Sequence, residues 1–254
     1  MNLIRKNEIK HEANQLASKL RSEMGVSGLY PVSIHQIAKS KNIIAFFTPM
    51  TDSTSGVAVR TSDDPQTCRR FMMINSGKSL GHQRFTACHE FYHLLFQKEF
   101  NAIKEKTAIF RDDDENEFAA DWFASYLILP TSSLEQKIPA HEHALDKITL
   151  GTILDIEQTY RCSRKTVLHR LKDMKLISSA FFDRYEANVM KSANEYGYPL
   201  DLYRQTDKTE LIGDYNIKAR QLFNEGRISQ AMYFSLLEDI GVDLKNEIED
   251  NGEE

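Results

Sequence analysis

Along residues 7–24, apolar side chains recur at Ala13, Leu16, Ala17, Leu20 and Met24, with charged and amide residues between them. That spacing predicts an amphipathic helix. The next stretch, PVSIHQIAKSKN, reads as a second helix with Pro31 near its start and Ser33 as its N-cap. The period then changes. IIAFF (43–47), GVAVR (56–60) and RRFMMIN (69–75) are β-rich runs separated by turn-forming residues, and they predict a small sheet of short strands.

From Gly81 the pattern is helical again, with Phe85, Cys88, Tyr92 and Phe96 on one side. KEFNAIKEKTAIFRDDD reads as a connection. A further helix is expected from about Asp114 to Leu129, stopped by Pro130. Asp112, Asp113, Asp114 and Glu115 sit at its positive end. They lack the alternating ligands and the glycine of a calcium loop. PTSSLEQKIPA (130–140) marks a boundary, and residues 148–177 read as helix, turn, helix. Residues 214–224 and 229–240 are helical around a turn at Asn224-Glu225-Gly226, and the DNGEE end reads as a frayed tail. The expectation is an α+β catalytic domain over 1–135, a helix-turn-helix-like module over 136–182, and a helical C-terminal region over 183–254.

Composition narrows the class. Of 254 residues, 41% are hydrophobic and 27% charged, so a packed core is feasible. The formal net charge of −5 excludes a polycation, and any nucleic-acid contact would need a local patch. Cys68, Cys88 and Cys162 form no C-x-x-C pair, which argues against a thiolate zinc site or a disulfide framework. The N-terminus has no apolar signal core, and no apolar run approaches the roughly 18 residues of a membrane span. A reduced, cytoplasmic, soluble protein is expected.

The chemistry is concentrated in FTACHEFYHLL (85–95). With each helical residue advancing about 100°, His93 lies about 40° from His89 and Glu90 about 100° from it, all on one face. Imidazoles four residues apart reach one ion, and zinc favours their nitrogens. Glu90 sits to the side, where its carboxylate can take a proton from a water on that ion.

A third ligand is needed, and two residues compete. Glu99 would require a sharp turn soon after His93. Phe96 instead reads as continuing the helix, which would carry residue 99 some 15 Å along the axis, so Glu99 is rejected. Glu117 lies on the next helix beside the small residues Ala120 and Ala124, which permit close approach to a neighbour. Asp121, one turn on, can accept the second ring N–H of a ligating histidine. The competing reading of Glu117 and Asp121 is a solvated stripe. It is weakened by the apolar character of most of NEFAADWFASYLILP.

These residues resemble the ImmA/IrrE family of zinc-dependent metallopeptidases. Arg84, Phe85, Thr86, His89, Glu90 and His93 fit its R-F-T-x-x-H-E-x-x-H pattern. Glu117, Ala120, Phe123, Ala124, Leu127 and Pro130 fit its E-x-x-A-x-x-F-A-x-x-L-L-x-P pattern. Departures are Asp121, where asparagine is common, Gln97, where histidine is common, and Ile128 for leucine. The resemblance implies a zincin-like fold and a cytoplasmic regulatory protease of mobile elements or stress responses. It implies zinc held by His89, His93 and Glu117, with Glu90 as general base, and a helix-turn-helix repressor as substrate. His141 and His143 are weak candidates for oxyanion stabilisers. Cys88 reads as a small buried residue rather than a redox switch.

One feature supports a rival. Residues 161–175 carry Arg161, Arg164, Lys165, Arg170, Lys172 and Lys175 against Asp173 alone. Ser163 can cap this helix, which is patterned like a recognition helix. Arg161, Arg164, Lys165 and Arg170 are therefore candidate contacts to DNA or to a partner. The competing reading is a solvated basic face on a module that packs against the protease. The alternative function is a DNA-binding regulator with a structural or sensory metal site.

Overall fold

The computed structural model describes residues 1–62, 68–98, 102–106 and 114–241. Helix α1 (Leu3–Glu23) and helix α2 (Ile34–Ser40) lead into strands β1 (Ile43–Thr48), β2 (Thr54–Arg60) and β3 (Arg70–Asn75). Helix α3 (Leu80–Leu95), strand β4 (Ala102–Lys106) and helix α4 (Glu115–Ile128) follow. Then come α5 (Thr131–Lys137), α6 (Leu150–Tyr160), α7 (Arg164–Asp173), α8 (Ser179–Tyr185) and α9 (Val189–Glu195). Strand β5 (Glu210–Ile212) precedes α10 (Tyr215–Asn224) and α11 (Gln230–Asp239).

The strands form one mixed sheet in the order β4-β2-β3-β1-β5. Among the described strands only β1 and β3 run parallel; β1–β5, β2–β3 and β2–β4 are antiparallel. The fold is α+β, as the hydrophobic pattern predicts. Two strands lay outside that prediction. β4 falls inside a stretch read as a connection, and its AIKEK is more charged than a core strand. β5 has three residues, too few to show a period.

Local caps begin several helices where the sequence places them. Ser33, Asp114 and Ser163 each accept a backbone N–H from the first turn of their helix; such caps typically contribute about 1 kcal/mol. Ala13, Ala17 and Leu20 of α1 are buried, and α1 packs along α4. At the end of α4 the buried Arg21 donates to the Leu127 carbonyl at 2.7 Å, satisfying an orphan acceptor of the last turn.

One hydrophobic cluster runs from Ile9 through the sheet, α3 and α4 to Leu168, Phe182 and Ile212. The expected boundary at 135 therefore has no matching break in the core. PTSSLEQKIPA contains α5, whose Leu134 is buried in that same cluster. A second, smaller cluster holds Ala219, Tyr233 and Leu237 of α10 and α11, with Phe223 stacked on Tyr233 at 5.0 Å. β5 lies between the two: Ile212 faces the large cluster and its neighbour Leu211 the small one. The period-2 alternation of a strand explains this division. The expected helical C-terminal region is corrected in one respect: β5 (Glu210–Ile212) lies within it and belongs to the sheet. The DNGEE tail lies outside the described residues.

Candidate metal centre

Helix α3 starts at Ser79, whose hydroxyl accepts from the His82 backbone N–H, and its sheet side packs on β2 and β3. Within it His89, Glu90 and His93 are all at most 2% exposed. Helix α4 starts at Asp114, whose carboxylate accepts from the Asn116 and Glu117 backbone N–H groups at 2.7 and 3.3 Å. That cap sets Glu117 in the first turn, where a carboxylate is favoured by the helix dipole. Ala120 and Ala124 are fully buried, and their size lets α4 lie close to α3.

Glu117 converges on the imidazole pair. Its Oε2 lies 3.3 Å from His89 Nε2 and its Oε1 3.6 Å from His93 Nε2. The two Nε2 atoms are 2.9 Å apart. Ligand atoms of the three residues all fall within 4.8 Å of one another.

The other ring nitrogens decide the tautomers. His89 Nδ1 lies 2.9 Å from Asp121 Oδ1, and His93 Nδ1 contacts Gln97 Oε1. A carboxylate or amide oxygen can only accept, so each Nδ1 carries the proton and each Nε2 presents a lone pair. Burial, reinforced by the neighbouring His89, lowers His93 to about 4, which keeps its ring neutral. Two lone pairs and a carboxylate facing one another repel; a shared cation relieves that repulsion. The donor set of two imidazoles and one carboxylate fits a divalent ion with an open coordination position.

Glu90 is fully buried beneath β2. A Cβ at Gly56 would come 2.7 Å from Glu90 Oε1 and 2.7 Å from the Thr86 methyl carbon, so glycine is what lets the strand approach. Gly56 and Gln97 are two residues that sequence reasoning did not assign to the site. A glycine inside the strand pattern GVAVR was the available signal for the first. For Gln97 the signal was its position four residues after His93.

Other candidates are placed differently. Helix α3 ends at Leu95, with Phe96 at φ −128°, so the continuing helix assumed in rejecting Glu99 is not there. Glu99 itself lies outside the described residues, as do Asp112 and Asp113. Glu115 is ion-paired with Arg5 at 2.9 Å. His141 and His143 are exposed. Cys68, Cys88 and Cys162 are buried free thiols, and burial pushes Cys88 up to about 12, leaving it protonated.

The basic helix divides into two sets. Arg164 is 3% exposed and binds the Glu157 carboxylate and Ser192 Oγ. Arg170 is 0% exposed and donates to the Leu129 carbonyl and Thr131 Oγ1. Neither is available to DNA or a partner, which corrects the expectation for these two. Arg161 and Lys165 are exposed, as are Lys172 and Lys175. The turn before α7 is also covered. A Cβ at Gly81 of α3 would come 2.9 Å from Ser163 N, and Arg84 Nε donates to the Arg161 carbonyl at 2.9 Å.

The family model Peptidase_M78, described as the IrrE N-terminal-like domain, matches residues 38–172, more than half of the chain. The chain belongs to the Peptidase_M78 family. The match takes in both ligand helices and continues through α6 and most of α7, across the boundary expected at 135. The Peptidase_M78 name carries metallopeptidase character, and the buried His89, His93 and Glu117 group can hold a metal. No curated protein matches the chain. No helix among the described residues is long and apolar enough to cross a membrane.

Proposed function

We propose that this protein is a zinc-dependent endopeptidase that cleaves a partner protein, a helix-turn-helix repressor of a mobile element or stress regulon. The observation that carries the reading is the convergence of His89, His93 and Glu117 on one point with Glu90 beside them. Zinc in such a set supplies Lewis-acid polarisation of a peptide carbonyl and acidifies water.

The protein's own groups do the rest. Asp121 and Gln97 hold the imidazoles in the tautomer that offers Nε2. Glu90, buried among α3 and β2, takes the proton of the attacking water and passes it to the leaving amine nitrogen. The N-cap at Asp114 keeps Glu117 in register with the histidines.

The rival reading, a DNA-binding regulator, has less support. Arg164 and Arg170 are committed internally, and the start of α7 is packed on α3. A structural site also needs no general base. The test is Glu90→Gln against the parent, each loaded with zinc and incubated with a candidate helix-turn-helix repressor. Cleavage should fall about 10²–10⁴-fold while bound zinc, measured by mass spectrometry of the native protein, stays at one per chain. Undiminished cleavage by the variant overturns the assignment of Glu90.

A further inference from the structure

Arg84 sits five residues ahead of His89 on α3, and no acid among the described residues is ion-paired with it. Its Nε donates to the Arg161 carbonyl at 2.9 Å and its Nη2 to the Val32 carbonyl at 2.8 Å. Both acceptors are neutral, and burial holds the guanidinium below its usual pKa. These bonds staple the α2 approach to the α6–α7 turn. They use two of the five N–H groups a guanidinium carries.

The same side chain lines a half-open cavity of about 130 Å³. Ile34, Phe47 and Leu80 give it apolar walls, and Lys208 adds a second cation from the segment before β5. Its carboxylate, Glu210, lies 2.8 Å from His35 Nε2, and the lining carries two cations against this one acid. An apolar hole of about 150 Å³ is large enough for a benzene ring. The cavity is slightly smaller than that but half-open, so a ring-sized apolar body enters it in part, and the two cations favour one negative charge on it.

We propose that this cavity is a binding site for a small organic anion, an apolar group of roughly ring size carrying a carboxylate. The site is separate from the metal centre and does not depend on the peptidase reading. Bound there, the ligand bridges the first turns of α3 to the segment that leads into β5.

The test uses the full chain with benzoate as probe and benzamide as its uncharged counterpart, followed by calorimetric titration and thermal melting. Benzoate should bind saturably and raise the melting temperature, and benzamide should bind at least about tenfold more weakly. Arg84→Met removes the half-buried cation but also the staple, so it can fail to fold. Lys208→Glu changes only an exposed side chain. It should melt like the parent without ligand and bind benzoate about tenfold more weakly. Equal binding of benzoate and benzamide, unchanged affinity in Lys208→Glu, or no saturable benzoate binding would each overturn the proposal.

Discussion

The metal centre and the α6–α7 pair both announce themselves in the sequence by a short charged pattern on a helix, yet tertiary packing treats them in opposite ways. At the centre, polar side chains from two helices turn toward one buried point. Along α7, cations from one helix separate: Arg164 and Arg170 go inward to a carboxylate and to carbonyls, while Lys165 and Lys172 go outward. A run of like charge says little about its target, because its members point in several directions around a helix. A set at i and i+4 shares one direction and can share one ion.

The strongest way to break this contrast is to remove a convergent group. Glu117→Ala should weaken zinc binding at least about a thousandfold, roughly a third of the 10–16 kcal/mol typical of a protein zinc site. Competition with a chromophoric chelator reads this directly. Retained affinity would mean that another residue completes the set.

Next in size is the inward cation. Arg164→Leu leaves the buried Glu157 carboxyl without its cation, and should lower unfolding free energy by about 3 kcal/mol in urea titrations. Replacing Glu157 and Arg164 together with leucine should recover much of that loss. If the single change is harmless, Arg164 is not the structural residue its contacts indicate.

A smaller effect separates the two supports of the histidines. Asp121→Leu and Gln97→Leu should each reduce zinc affinity about 10–100-fold without unfolding the apoprotein. Asp121→Leu is expected to lose more, since a carboxylate polarises the imidazole more than an amide does. Equal losses would make position alone, rather than charge, the property that matters.

The smallest effect belongs to the outward cations. Lys165→Ala combined with Lys172→Ala should shift stability by no more than about 0.5 kcal/mol. A gel shift across salt concentrations then tests the remaining DNA reading. Parent and double variant should show the same weak, sequence-independent retention, and a salt slope lost in the variant would restore a nucleic-acid role.

Several features were legible in the chain because they are short-range. Helical and strand periods located α1, β1–β3, α3, α4 and the α6–α7 pair, since burial of one face imposes a repeat of 3.6 or 2. The caps at Ser33 and Ser163, and the helix start at Asp114, could be named because the bonds involved span at most three residues. His89, Glu90 and His93 were fixed to one face by helix geometry alone. Glu117 and Asp121 were also nameable, but from composition around them and from family resemblance rather than from any local rule.

Other features depended on contacts between distant residues. β5 joins β1 across more than 160 residues of chain, and nothing in ELI foretells that edge. The burial of Arg164 and Arg170 follows from acceptors at Glu157 and Leu129, which only packing brings near. The role of Gly56 exists because a strand crosses a helix beside Glu90. The sequence by itself determined which side chains share a face and where helices begin. The tertiary structure decided which faces meet, because that choice is set by long-range burial and charge compensation that no local spacing encodes.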